Sequence, residues 1–209
     1  MKITNYADEM LLIIVSDVAS EIIKNKPQNH IDIGSRVDGF ISHLLAGGIE
    51  TSIIDIRPLK INNIGFGVPK LHFIQADATN LENIDDNSIN SLSSLHAVEH
   101  FGLGRYGDEV DPEAHFKAMH SLERVLAIGG TLYFSVPVSK QDKLCFNAHR
   151  IFAPLTIVNA MSKLDLVNMF LIHASKINVY TKEEVFAQRY MENIGEYDCG
   201  IFIFGKSLQ

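Results

Sequence analysis

His30-Ile-Asp-Ile-Gly-Ser-Arg-Val-Asp-Gly-Phe40 carries an apolar strand pattern into two glycines within eleven residues. It predicts a buried strand over 29–34, a tight turn at Gly34 and a helix from about Asp38 to Ala46. A glycine turn between a strand and a helix is where α/β proteins hold nucleotides, because the backbone can approach a ligand closely there. Asp55 follows Gly34 by 21 positions, near the end of the next apolar run, Ser52-Ile-Ile-Asp-Ile56. A carboxylate so placed reaches the paired hydroxyls of a ribose. The two features together imply a ribose-containing cofactor.

Working outward, Gly47-Gly48 stops the helix, and Thr51 to Arg57 reads as a second strand closed by Pro58, which completes a βαβ unit. Further strands are predicted over Leu71 to Ala76, Ser88 to Leu95 and Thr131 to Val136, with a helix from Glu113 to Leu126 that Gly129-Gly130 ends. Strands alternating with helices imply a parallel sheet whose ligands bind beyond its carboxyl ends. The tail reads as helix over Thr156 to Lys163, strand over Leu166 to Ile172, helix over Lys182 to Met191, and a last apolar strand over Gly200 to Gly205. The last two strands extend one edge of the sheet. Upstream, Met10, Leu11, Ile14, Val18 and Ile22 recur at helical spacing and predict an amphipathic helix closed by Pro27. The expected fold is therefore α/β, a single doubly wound Rossmann-like domain with a seven-stranded, mostly parallel sheet, helices on both faces and a preceding N-terminal helix.

The 209 residues are 46% hydrophobic, enough for a full core in one domain. A formal net charge of -7 and no Lys/Arg cluster argue against a surface built to neutralise nucleic-acid phosphates. The run Leu11 to Val15 is too short to span a bilayer and is flanked by Asp8, Glu9, Asp17 and Glu21, so no membrane partner is expected. The two cysteines, Cys145 and Cys199, lack metal-ligand spacing and read as free thiols in a reducing cytoplasm. Monomer and homodimer are equally compatible with this composition.

Gly34-Ser-Arg-Val-Asp-Gly39 matches the dinucleotide fingerprint except that Arg36 replaces the middle glycine, which lets the backbone approach a pyrophosphate. That counts against NAD or FAD, and so against an NAD-linked or sugar-nucleotide enzyme. S-adenosyl-L-methionine has a ribose and an adenine but no pyrophosphate, and its ammonium suits an acidic residue such as Asp32. His96-Ala-Val-Glu-His100 spells the metal pattern of inverted zinc proteases, but that chemistry needs both histidines on one continuous helix. Here they follow a strand and are succeeded by Gly102, Gly104 and Gly107, so no metal site is expected.

Gln75-Ala-Asp-Ala78, Ser94-Leu-His-Ala-Val-Glu-His100 and Glu123-Arg-Val-Leu-Ala-Ile-Gly-Gly-Thr-Leu-Tyr-Phe-Ser-Val-Pro137 resemble the class I S-adenosylmethionine-dependent methyltransferases. The resemblance covers roughly Asn29 to Pro137. It implies that Asp55 holds the ribose, that Ile56 flanks the adenine and that Asp77 with the Ala78 backbone reads the adenine edge. It places Asp32, Gly34, Ser35 and Arg36 at the methionine end, near the Leu95 and His96 backbone. Arg36 and Asp38 depart from the family's usual glycines, so a non-catalytic protein with a degenerate pocket is the rival reading. Phe101 to Asp108 and Cys145 to Phe152 are similar to a little-characterised branch of the superfamily, which supplies no substrate.

Methyl transfer to oxygen needs a base matched to neutral pH, and His96 and His100, with Glu99 between them, lie where the acceptor is expected. Arg105, Tyr106, Asn147, His149 and Arg150 fall in polar loops expected at the same end of the sheet and are the candidate substrate-binding residues. The expected substrate is a small molecule or a carbohydrate-like compound.

Overall fold

The computed structural model describes residues 14–34, 39–59, 70–104, 109–146 and 148–208. The candidate residues Ser35, Arg36, Arg105, Tyr106 and Asn147 lie outside these, as do Met10 and Leu11 of the expected first helix.

Eight strands form one sheet: β1 (Asn29–Ile33), β2 (Glu50–Asp55), β3 (Leu71–Gln75), β4 (Ile89–Leu95), β5 (Leu126–Val138), β8 (Asp165–His173), β9 (Lys176–Tyr180) and β10 (Asp198–Gly205). Their order is β3-β2-β1-β4-β5-β10-β8-β9. The pairs among β3, β2, β1, β4 and β5 are parallel, whereas β10 runs antiparallel to β5 and β8, and β9 antiparallel to β8. A small hairpin of β6 (Lys143–Cys145) and β7 (His149–Ile151) stands apart from the sheet. The fold is thus α/β with a mostly parallel central sheet, with eight strands where seven were expected.

The additional strand is β9, and the reason it escaped the pattern is chemical. Its two-residue turn is Ala174-Ser175, both left-handed at φ 48° and 62°, the geometry that usually selects Asn-Gly. A second correction concerns Gly129-Gly130. The preceding helix ends at Val125 and β5 starts at once with Leu126, so the glycines lie within the strand. Gly129 is left-handed, and a Cβ on Gly130 would stand 2.9 Å from the Ala127 carbonyl and 3.0 Å from that of Ile89. The pair forms an irregularity where the β4 and β5 registers slip, a use of glycine that mimics a helix stop in the sequence.

Helices cover both faces. On one face α1 (Ala19–Asn25) and α2 (Gly39–Ala46) bury Ala19, Ile22, Phe40, Ile41 and Leu44 against Ile53, Tyr133, Ile172 and Ile201. On the other, α3 (Ala114–Val125) and α4 (Pro154–Ala160) pack Met119, Leu122, Val125 and Ile157 on Leu92, Phe134, Phe202 and Phe204. Each fully buried Leu, Ile, Val, Phe or Met among them contributes about 1.5–3 kcal/mol before entropy is subtracted. A short helix α5 (Lys182–Phe186) opens with a capping box between Thr181 and Glu184 and links β9 to the last strand. No helix among the described residues is long and apolar enough to cross a membrane.

Candidate functional site

The carboxyl ends of β1 to β4 open into a cavity of about 790 Å³. Gly34 sits at its base. It is left-handed at φ 75°, its N–H donates to the Ile54 carbonyl at 2.9 Å, and a Cβ there would lie 2.8 Å from that of Ala97. Turn geometry and close packing both exclude a side chain. Asp55 and Ile56 reach the cavity from the end of β2, Asp77 and Ala78 from the end of β3, and His96 and His100 from beyond β4.

Two expected cofactor residues do not form the cavity wall. Leu95 is buried in the core under α1 and α2, and only its successor His96 reaches the cavity. Asp32 is fully buried within the sheet. Ser93 Oγ spends its single proton on Asp32 Oδ1, so it accepts from His30 Nε2 at 2.8 Å, and His30 Nδ1 accepts from Ser91 Oγ at 2.8 Å. Burial lowers the His30 pKa from 6.5 to about 3, which keeps the ring neutral as this chain of bonds requires.

Asp55 is already engaged. One oxygen accepts from the Arg57 backbone N–H at 2.8 Å and from Nε at 2.9 Å, and the other accepts from Nη2 at 2.6 Å. This fork closes the carboxylate that the ribose would use. Asp77 caps its own loop by accepting the Thr79 N–H at 2.8 Å.

Beyond β4 the chain takes a left-handed step at His96, φ 50°, and then one 3-10 turn over Val98–His100. His96 and His100 therefore do not share a helix face. His96 Nδ1 lies 3.0 Å from Glu99 Oε1 and Nε2 lies 3.3 Å from Cys199 Sγ, so both ring nitrogens face protein groups. Burial alone would lower the His96 pKa. The charges and hydrogen bonds of Cys199 and Glu99 outweigh it and raise the pKa to about 10. His100 Nδ1 lies 3.1 Å from the Ala148 carbonyl, which only accepts, so the neutral ring carries its proton on Nδ1 and Nε2 is the basic nitrogen. Among the described residues no three His, Cys, Asp or Glu side chains are grouped to hold a metal.

His149, on β7, packs edge-on to His100 at 6.0 Å and against Tyr197 at 5.4 Å, beside the cavity rather than in its wall. Arg150 is buried and braces two loops, donating to the Phe101 carbonyl at 2.6 Å and the Pro112 carbonyl at 3.3 Å. Sequence reasoning missed Arg57, Cys199 and Tyr197. Arg57 was within reach, because it stands two residues after the ribose candidate; Cys199 and Tyr197 approach only through the returning last strand.

The strand order and the site at the carboxyl ends define the fold of the class I S-adenosylmethionine-dependent methyltransferases. The chain belongs to the family described as "Caenorhabditis protein of unknown function, DUF268", whose model matches residues 69–196. Both segments singled out for the little-characterised branch fall inside that match. No curated protein matches the chain. Among solved structures, the 1,6-didemethyltoxoflavin-N1-methyltransferase of Burkholderia thailandensis with bound S-adenosylhomocysteine is similar over 99% of this chain and 85% of its own, at 11% identity and TM-score 0.58. The N-methyltransferase NodS from Bradyrhizobium japonicum, also with S-adenosylhomocysteine, aligns over 96% and 85% at 13% identity and TM-score 0.57. The 4+2 cyclase SpnF aligns over 92% and 82% at 11% identity and TM-score 0.59. These likenesses are of fold, and the cyclase illustrates that the fold alone names no reaction.

Proposed function

We propose that the chain is an S-adenosyl-L-methionine-dependent methyltransferase acting on a small-molecule or carbohydrate-like acceptor through oxygen. The observation that carries this reading is the cavity itself, in which Gly34, Asp55, Ile56, Asp77 and Ala78 converge from three adjacent parallel strand ends. A left-handed glycine without room for a Cβ, a carboxylate and a partly exposed isoleucine suit, in turn, the amino-acid end, the ribose and the adenine of that cofactor. When bound, the cofactor supplies a methyl group on an electrophilic sulfonium.

The protein's own groups then have defined tasks. Asp55 accepts the two ribose hydroxyls after Arg57 yields, Ile56 covers an adenine face, and Asp77 with the Ala78 backbone meets its edge. His100 Nε2 removes the acceptor proton, a contribution of about 10²–10⁴-fold for a well-placed base. Phe101 and Ala114 give the cavity an apolar wall next to the reacting atoms. In this reading no nucleic acid or membrane takes part.

Calorimetry or thermal shift with S-adenosylmethionine, S-adenosylhomocysteine and NAD tests the reading. At 100 times its dissociation constant a true ligand stabilises the fold by about 2.7 kcal/mol. The sulfur compounds are expected to bind and NAD is not; no shift with either sulfur compound would refute the proposal. Asp55→Ala removes charge-assisted hydrogen bonds of about 1.5–3 kcal/mol and is expected to weaken the cofactor about tenfold to a hundredfold. One observation favours the rival, a non-catalytic protein with this fold: the Arg57 fork already fills the Asp55 carboxylate. Unchanged stability with every ligand would select it.

A further inference from the structure

His96 cannot serve as a second base in the way its position suggests. Its Nδ1 faces the Glu99 carboxylate and its Nε2 faces the Cys199 sulfur, at 3.0 Å and 3.3 Å, leaving no ring nitrogen directed at a ligand. The two partners lie 100 positions apart in sequence, Glu99 in the 3-10 turn after β4 and Cys199 in β10, which crosses back beside β5. Both are buried, at 2% and 0% exposure, whereas about a quarter of the His96 side chain is open to the cavity. The backbone accepts the left-handed φ of 50° at His96, uncommon for a residue with a Cβ, to put the ring there.

We infer that Glu99 and Cys199 are positioning residues that hold the His96 ring as an imidazolium in the cavity wall, so that His96 supplies a fixed positive charge while His100 handles the proton. The charge state rests on the pairing of the ring with the buried Glu99 carboxylate; its use in catalysis rests on the methyltransferase reading above. A buried carboxylate needs a compensating charge, and Glu99 Oε2 has no hydrogen-bond partner among the described residues, so the His96 ring is its closest source. The other groups facing this cluster are uncharged or lie farther away. Tyr197 is kept neutral, because burial and the charges of Glu99, Cys145 and Cys199 raise its pKa. His100 Nε2 is 3.9 Å from Glu99 Oε1, beyond a hydrogen bond. His96 lines the cavity whereas Glu99 and Cys199 do not, so a ligand there meets the ring rather than its partners. A positive charge there favours an acceptor oxygen in its anionic form, as preorganised electrostatic stabilisation requires, and two neighbouring histidines with different environments divide the work of charge and proton.

Nitrogen-15 NMR of histidine-labelled protein reads the ring state directly and needs neither cofactor nor acceptor. The His96 signals are assigned by their loss in His96→Gln. Both His96 nitrogens are expected to show the protonated shift up to at least about pH 8.5. Glu99→Gln and Cys199→Ser should each weaken the ring's proton affinity about tenfold or more. A wild-type ring that titrates near pH 6.5 overturns the inference, whether or not either variant folds. A second measurement tests the electrostatic role: a cation at the wall opposes a sulfonium more than a thioether. His96→Gln should shift the affinity ratio towards S-adenosylmethionine over S-adenosylhomocysteine by about threefold or more. An unchanged ratio refutes that role. Failure of both compounds to bind wild-type protein refutes the methyltransferase reading and leaves the ring's charge to the NMR result.

Discussion

Asp55 accepts three hydrogen bonds from Arg57, so a ribose competes with the guanidinium for the same oxygens. The Arg57 side chain is about 44% exposed, and an ion pair open to water on one side is worth about 0.2–1 kcal/mol. The fork therefore closes the carboxylate without locking it. Arg57→Ala is expected to tighten S-adenosylmethionine by up to about fivefold in calorimetry. Weaker binding would show instead that Arg57 itself touches the ligand. Gly34 carries the opposite sensitivity. Gly34→Ala forces a Cβ to within 2.8 Å of that of Ala97 at a positive φ, a conformational cost alone of about 1–2 kcal/mol, read as a lower urea midpoint.

At the scale of elements, the β8–β9 hairpin turns through two residues that resist their own backbone. Ala174 and Ser175 are exposed and left-handed, where Asn and Gly sit with little strain. Ala174→Asn with Ser175→Gly is expected to raise stability by about 1–2 kcal/mol, measured by urea denaturation. No gain would mean that the Ser175 side chain matters more than the turn. The return of β10 matters more for the site. Its antiparallel register sets Cys199 opposite Pro137 and Ile172, at the carboxyl end of the parallel strands, and so behind His96. The short hairpin of β6 and β7 brings His149 alongside His100 in the same way.

For the whole molecule, buried histidines of opposite tendency set the pH range of stability. Burial lowers His30 to about 3 and is the largest cause of the lowering of His115 to about 4, so both bind protons more weakly folded than unfolded. Their contribution is complete above pH 6.5 and is lost as the pH falls from there to about 4 for His115 and about 3 for His30, by up to about 1.4 kcal/mol per pH unit for each ring. His96, raised to about 10, acts in reverse: its contribution is complete below pH 6.5 and is lost between 6.5 and 10. Urea midpoints should therefore fall on both sides of about pH 6.5. His30→Asn should flatten the acid slope; an unchanged slope would remove His30 from this account.

The alternation of strand and helix, the Gly34 turn and the order of Asp55, Asp77 and His96 along the chain were legible without coordinates, because period, turn chemistry and strand ends are local properties. Even the Leu166 to Ile172 strand, whose apolar run fits a helix equally well, could be read, although only the pairing of β8 with β10 makes it a strand. What stayed hidden was non-local. The use of Gly129-Gly130 inside β5 depends on a neighbouring carbonyl of β4, and β9 depends on an atypical turn. Whether Asp32 faces a ligand or a serine depends on which strand lies beside β1, and that strand is β4 with Ser93. The sequence by itself thus determined the fold class and the end of the sheet where the site forms. Only the tertiary structure decided that His96 lies between Glu99 and Cys199, because a contact across 103 positions exists only once the sheet has closed around it.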